Sequence, residues 1–275
     1  MSKRFPPIPR FATPLPDENC YSILCRCGVH AAMSTSKLCR EMFGRQRNLF
    51  NYLWQPFRPE EVSRWFDDAD ERIPIYVQKH SCVPYRYPFV EKRCKAYLED
   101  WNAGVPLSNG HYKRVTRLLG YRFWKKEHLC YCPDCVKEDR REYGETYWHM
   151  IPQLPGVTVC PVHMVPLEKS QLLVENTRYE LLPAEYWLPN QEPRKEKIPY
   201  EDLQVAMDSK WMMENGWQMD SGRFTGKLDE GLSLWQYEKV EAALSRYSRQ
   251  QNPKSETLYR ILMAAERRIS LSEIE

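Results

Sequence analysis

Long hydrophobic runs are missing from this sequence of 275 residues. No stretch of about 18 apolar residues occurs, and the mean hydropathy is −0.68, so a membrane-spanning helix is not expected. The basic residues Lys3 and Arg4 are not followed by an apolar segment, which argues against a secretion signal. Phosphate-binding loops of the G-x-x-x-x-G-K-[ST] or G-x-G-x-x-G type are also missing. These absences favour a cytoplasmic protein that has no membrane partner.

The net charge is small, +3, but it is unevenly distributed. Residues 1–170 contain 26 lysines and arginines against 19 acidic residues, whereas residues 171–275 contain 14 against 18. The hydrophobic content of 42% is sufficient for a folded core, so a disordered chain is excluded. The basic half suits a polyanion or an acidic partner surface.

The sequence contains ten cysteines, and all of them lie at or before Cys160. Without a secretion signal their thiols should stay reduced, which excludes a disulfide framework. Cys132 and Cys135 form a C-x2-C pair and Cys160 and His163 a C-x2-H pair, with 24 residues between the pairs. Four such donors can surround one Zn²⁺ tetrahedrally, and the proline after the first ligand of each pair helps the chain to turn. A metal held by four side chains has no open position, so the predicted zinc is structural.

Two neighbouring residues leave alternatives to this ligand set. Cys130 could replace Cys132 in a C-x4-C arrangement, although C-x2-C is the usual spacing. His149 lies between the two pairs, where a packing role is favoured over a place beside the metal ligands. The other cysteines are expected to be small buried hydrophobes: Cys20, Cys25, Cys27, Cys39, Cys82 and Cys94.

The N-terminal part predicts an extended arm and then helices. Five prolines make residues 1–16 unsuitable for a helix. Asp17-Glu18-Asn19 can cap a helix to about Val29, and Ser36 can cap a second helix that Gly44 ends. Two short helices with a tight turn have a helix-turn-helix shape, within a helical region at 17–110 that Pro74, Pro84 and Pro88 should interrupt. The alternative is a plain helical hairpin with solvated cations. The candidate DNA or partner contacts here are Lys37, Arg40, Arg45 and Arg47.

A second basic segment precedes the metal ligands, within the region 111–170. Its cations alternate with aromatic residues, a mixture that suits phosphate contacts and stacking. The alternative is a helix with a solvated basic face and a buried aromatic face. The candidate residues are Lys113, Arg114, Arg117, Arg122, Lys125 and Lys126.

The last third of the chain gives only structural expectations. Residues 171–200 include a proline- and charge-rich stretch and are expected to form a linker. Apolar residues at helical spacing predict a helical region at 201–275, and the chain ends where a further helix could begin, which suggests a truncated natural protein. The expected fold is mainly α, with an N-terminal helix-turn-helix, a zinc-knuckle module and a helical C-terminal region.

Several of these segments resemble the TniQ/TnsD family of transposon target-selection proteins. The resemblance covers about residues 5–170 and is most specific around the metal ligands. It rests on Tyr131-Cys132-Pro133-Asp134-Cys135, Arg141-Glu142-Tyr143-Gly144-Glu145, Tyr147-Trp148-His149, Gln153-Leu154-Pro155-Gly156-Val157 and Cys160-Pro161-Val162-His163-Met164-Val165-Pro166-Leu167, with looser similarity in the opening residues and at His80-Ser81-Cys82-Val83-Pro84-Tyr85 and Pro88-Phe89.

The resemblance implies a helix-turn-helix followed by a zinc finger that Cys132, Cys135, Cys160 and His163 ligate. It also implies a non-enzymatic adaptor for DNA transposition, bound to the nucleoid when it holds double-stranded DNA. Such an adaptor links attachment-site DNA, or a CRISPR effector complex with its guide RNA, to an AAA+ ATPase that recruits the transposase. This chain is shorter than typical TnsD proteins and has no second cysteine-rich module after Leu167.

Two other classes of protein are open from the residues alone. A zinc hydrolase or deaminase is disfavoured because neither His-Glu-x-x-His nor His-x-Glu occurs, and Pro133 follows its cysteine where the deaminase motif needs a preceding proline. A zinc-stabilised helix-turn-helix transcription regulator fits the same basic surface as the adaptor, and genomic neighbours would separate the two.

Overall fold

A computed structural model describes residues 11–87, 90, 92–119 and 126–218. Most of its regular structure is helical, which confirms the predicted mainly α class. In chain order the α-helices are α1 (Cys20–His30), α2 (Thr35–Phe43), α3 (Pro59–Trp65), α4 (Ala69–Lys79), α5 (Val83–Arg86), α6 (Lys92–Asn102), α7 (Asn109–Leu119), α8 (Pro133–Tyr143), α9 (Ala184–Trp187) and α10 (Tyr200–Asn215). Short 3₁₀ turns lie at Phe50–Leu53, Ile151–Gln153, Val174–Arg178 and Gly216–Gln218, and the two strands are β1 (His128–Tyr131) and β2 (Glu168–Leu173).

Capping residues fix the first two helices. The Asn19 side chain accepts a hydrogen bond from the Ser22 amide at 2.9 Å, which satisfies a free N–H group at the start of α1. Helix α2 begins two residues earlier than expected, because Ser34 and not Ser36 is its N-cap. Gly44 ends α2 with φ at 71°, a left-handed conformation that costs glycine little.

Proline interrupts the helical region less than the sequence predicts. Pro74 lies inside α4 and does not end it. Pro84 is in the first turn of α5, where the missing N–H group has no partner within the helix in any case. Pro88 lies outside the described residues.

Two segments expected to stand apart from the core are packed against it. Of the arm at 1–16, the described residues from 11 onward form no helix, but Ala12 is buried and the Phe11 ring contacts Trp65 and Phe66. The linker prediction for 171–200 is wrong for its first part. Strand β2 extends to Leu173, and Leu182 is buried, with its amide donating to the Tyr21 hydroxyl at 2.9 Å. Within 171–200, regular structure is absent from residues 179–183 and 188–199.

Buried tryptophans connect distant parts of the core. Each of three indole N–H groups donates to a backbone carbonyl in another segment, so that burial leaves no polar atom of these rings unpaired. The donor and acceptor residues are Trp65 and Met42 (2.8 Å), Trp101 and Phe57 (2.9 Å), and Trp148 and Leu182 (2.7 Å).

The two strands frame the cysteine-rich part of the chain. Strands β1 and β2 pair antiparallel, with Tyr131 opposite Glu168 and Cys130 opposite Lys169. Their pairing brings Cys132, the residue directly after β1, beside the segment that leads into β2. Within the described ranges, no helix has both the length and the hydropathy of a membrane span.

Candidate metal centre

The first pair of predicted ligands lies at the junction of β1 and α8. Cys132 follows the strand and is the N-cap residue of α8, with Pro133 at the first helical position. Proline is favoured there because its fixed φ suits a helix and its missing N–H group is not needed. Cys135 therefore projects from the first turn of α8, close to Cys132.

The second pair lies on a tight turn. The Cys160 amide donates to the Val165 carbonyl at 2.8 Å, and the Met164 amide donates to the Cys160 carbonyl at 2.9 Å. Met164 adopts a positive φ of 54°, which reverses the chain after His163. The His163 amide also points to the Cys160 sulfur at 3.5 Å. The turn thus presents a thiol and an imidazole on the same side.

The four donors converge as the spacing predicts. All four ligand atoms lie within 4.8 Å of one another. His163 Nδ1 is 3.6 Å from Cys132 Sγ, 3.4 Å from Cys135 Sγ and 3.7 Å from Cys160 Sγ, and the sulfurs of Cys135 and Cys160 are 3.7 Å apart. Tetrahedral Zn²⁺ with bonds of about 2.3 Å to sulfur and about 2.0 Å to nitrogen requires edges of about 3.8 and 3.5 Å. The donor set fits zinc.

The three thiols of the cluster influence the pKa values of one another. Hydrogen bonds from the thiols of Cys132 and Cys135 lower the pKa of Cys160, whereas the same contacts with Cys132 and Cys160 raise the pKa of Cys135. Three thiolates at these distances need a divalent cation to offset their repulsion.

Cys130 is not part of the cluster. Its thiol faces the His128 carbonyl at 3.5 Å, and its backbone is held by Gln153, whose side chain bonds both the Cys130 amide and carbonyl. The structure therefore favours Cys132 over the C-x4-C alternative.

A carboxylate beside the cluster was not found from the sequence. His163 Nε2 lies 3.0 Å from Glu138 Oε2, on the opposite side of the ring from the sulfurs. A carboxylate on the outer nitrogen fixes the tautomer with a free Nδ1 lone pair and makes that nitrogen a better metal ligand. Glu138 is three residues after Cys135, one turn along α8, and this spacing is the signal that could have identified it.

His149 is held between two acids and is not part of the cluster of candidate metal ligands. Its Nε2 donates to Asp139 Oδ2 at 2.9 Å, and its Nδ1 is 3.7 Å from Asp17 Oδ2. Burial alone would lower the pKa of His149, but the two carboxylates outweigh it and raise the pKa to about 10. His149 is therefore a buried imidazolium that joins α8 to the residues before α1.

Further contacts join α1 to the chain between the ligand pairs. The Arg26 guanidinium donates to Glu18 at 2.8 Å and to Glu145 at 2.9 Å, and His30 lies 2.8 Å from the same Glu145 carboxylate. The Trp148 amide donates to the Ser22 hydroxyl at 3.0 Å. Helix α1 and the segment between the two candidate ligand pairs are thus packed against each other.

The predicted cations on α2 and after it differ in their surroundings. Lys37, Arg40 and Arg45 are exposed. Arg47 is partly buried, its guanidinium pairs with Glu61, and the ring of Phe43 lies beneath it. The charge of Arg47 is therefore used within the protein.

The predicted cations of the second basic segment also differ in their surroundings. Lys113 and Arg114 are exposed on α7, and Arg117 lies on the same helix. The Lys126 ammonium donates to the carbonyls of Pro152 and Val157, both at 2.6 Å, and burial lowers the pKa of Lys126. Lys126 thus holds the loop between the ligand pairs. The remaining two candidates, Arg122 and Lys125, lie outside the described residues.

Comparison with known proteins agrees with this arrangement. The TniQ family profile matches residues 9–167, which include all four candidate metal ligands and helices α1 to α8. The match covers more than half of the chain, and the chain therefore belongs to the TniQ family. A curated relative is the transposon Tn7 transposition protein TnsD of Escherichia coli, which is 27% identical over 158 residues. That alignment covers 56% of this chain but only 30% of TnsD.

Proposed function

We propose that this chain is a target-selection adaptor for DNA transposition. The family match over residues 9–167 is the observation that carries the proposal, and a relative named as a transposition protein supports it. The adaptor joins a marked target site to an AAA+ ATPase, which in turn recruits the transposase. The mark is attachment-site DNA or a CRISPR effector complex with its guide RNA, and the protein acts in the cytoplasm at the nucleoid.

The metal centre has a structural role in this proposal. Three sulfurs and one nitrogen would fill a tetrahedral zinc, which leaves no position for substrate or water. The ion would hold the chain around residues 132–135 and 160–163 in shape. The Asp139–His149–Asp17 contacts transmit this order to the start of α1. In this proposal the metal orients the binding surfaces on the helices and takes no part in a chemical reaction.

Exposed cations on two helices are the proposed contacts with double-stranded DNA. Lys113 and Arg114 on α7, and Lys37, Arg40 and Arg45 on or after α2, have no carboxylate partner among the described ion pairs. Cations that are free of internal partners can neutralise phosphates and release counterions. Arg47 and Lys126 are excluded from this surface because their charges bond within the protein.

Co-sedimentation with an AAA+ ATPase of a transposon that encodes this protein tests the proposal. The full chain, the ATPase and ATP are mixed with attachment-site or random duplex. Recruitment that favours the attachment site supports direct reading of DNA, and recruitment without sequence preference supports targeting through a guide complex. A complete lack of ATPase binding overturns the adaptor and leaves the transcription regulator.

A pair of substitutions that removes two positive charges tests the DNA surface. Lys113→Gln with Arg114→Gln should reduce the slope of log K against log salt by about 2, since each lost phosphate contact removes about 0.9. The matched control is Lys195→Gln with Lys197→Gln, which removes two exposed cations from another segment. An unchanged slope in the first variant, or an equal change in the control, contradicts the assignment.

A further inference from the structure

Helix α10 is apolar on two sides, which is unusual for a helix at the surface of a folded body. Its inner side buries Val205, Ala206 and Met212 against the core. Its outer side exposes Met207 and Trp211, whose exposed fractions are 41% and 43%. A helix with apolar residues on both sides is normally covered on both.

The outer residues form one stripe. Tyr200, Gln204, Met207 and Trp211 are separated by four, three and four positions, so they lie above one another on one side of the helix. Tyr200 is 72% exposed, and its hydroxyl donates to the Gln204 side chain within the stripe at 3.1 Å. Three large apolar or aromatic side chains over three turns make a surface that fits an apolar partner.

The chain itself supplies a partner of the right pattern. The described part of the chain ends at Gln218, directly after α10, and 57 residues follow. Among them Leu234, Tyr237, Val240, Leu244 and Tyr247 recur at intervals of three or four, which is the spacing of one apolar helix face.

The connection is long enough for a return to α10. Residues 219–233 could span about 50 Å when extended, whereas a helix of the length of α10 measures about 24 Å. Gly222, Gly226 and Gly231 in this connection permit tight turns. Because the partner is tethered, its effective concentration is in the millimolar range, far above that of a second molecule.

We propose that residues 234–247 pack on the outer face of α10 and cover the stripe of Tyr200, Met207 and Trp211. This interaction surface is independent of the proposed role in transposition. It makes the segment after Gln218 part of the body that contains the metal centre.

Site-specific photo-crosslinking in the full chain tests the proposal. Trp211 is replaced by p-benzoylphenylalanine, and crosslinked peptides are mapped by mass spectrometry. The matched control carries the same replacement at Trp187, which is 44% exposed on α9. We expect crosslinks within one chain from position 211 to residues 234–247, and none to these residues from position 187. Crosslinks between two chains, or none to residues 234–247, would overturn the proposal.

Hydrogen exchange gives a second readout. Trp211→Glu places a charge in the stripe, and we expect amides of residues 234–247 to exchange at least about tenfold faster, whereas Trp187→Glu leaves them unchanged. A tenfold change corresponds to about 1.4 kcal/mol of lost packing. Equal exchange in both variants overturns the proposal. Zinc content is measured in each to verify that the rest of the chain is folded.

Discussion

Replacement of His149 by glutamine removes a buried positive charge from between two carboxylates. In the folded protein the imidazolium donates to Asp139 at 2.9 Å and lies 3.7 Å from Asp17. Glutamine keeps a hydrogen-bond donor of similar reach but no charge. The variant therefore tests whether the charge of His149, and not only its packing, joins α8 to the start of α1.

The expected loss of stability depends on the hydrogen bonds that Asp139 and Asp17 keep in the variant. Removal of one partner from a buried ion pair typically costs about 3–5 kcal/mol. Asp139 still accepts from the Thr146 hydroxyl at 2.8 Å, and Asp17 still accepts from the Ile151 amide at 3.1 Å. We therefore expect a loss at the lower end of this range, that is, a decrease of about 3 kcal/mol in the free energy of unfolding near neutral pH.

The pH dependence has a definite sign. The pKa of His149 is about 10 in the folded protein against 6.5 ordinarily, so the folded state binds the extra proton between these values. Its contribution is fully present below pH 6.5 and is lost as the pH rises towards 10. The difference between wild type and His149→Gln should therefore shrink over this window.

Urea unfolding with zinc held in excess measures both effects. Free energies are compared at pH values across this window for wild type, His149→Gln and the control His111→Gln, which alters an exposed ring stacked on Tyr97. The control should change stability by less than about 0.5 kcal/mol. A loss below about 1 kcal/mol for His149→Gln, or a loss that does not vary with pH, would refute the reasoning.

Three further predictions concern the metal centre and the internal cations. Purified protein should contain one zinc per chain by elemental analysis, and Cys135→Ser should lose zinc and unfold the region around residues 132–163; full retention of both would contradict the site. Glu138→Gln should weaken zinc affinity by about 10–100-fold in chelator competition, whereas Glu142→Gln on the same helix should not. Lys126→Met should destabilise the protein by about 1–3 kcal/mol in urea unfolding and leave its DNA affinity unchanged; the opposite pattern would make it a DNA contact.

Local chemistry was sufficient to predict that the four cysteine and histidine donors come together, and to predict the first helices. C-x2-C and C-x2-H spacings constrain geometry over four residues, and the structure brings all four donors within 4.8 Å. Asn19 and Gly44 act as caps through their own side chain or backbone, so their positions can be read from the sequence.

The remaining features depend on contacts between distant residues. The charges of Arg47 and Lys126 resemble those of Lys113 in the sequence, and only the fold shows that Glu61 and two carbonyls use them. His149 has one acid 10 residues away and another 132 residues before it, a pairing that no local pattern contains. The part of 171–200 that packs inward does so because Leu182 reaches Tyr21, across most of the described chain.

Sequencing of insertion sites in cells tests the central claim most directly. Cells carry the transposon with wild-type protein, without the protein, or with Cys135→Ser. We predict that insertions concentrate at a defined target with the wild type, and that this concentration is lost in the other two strains. An unchanged distribution of insertions in cells without the protein would contradict its role in target selection.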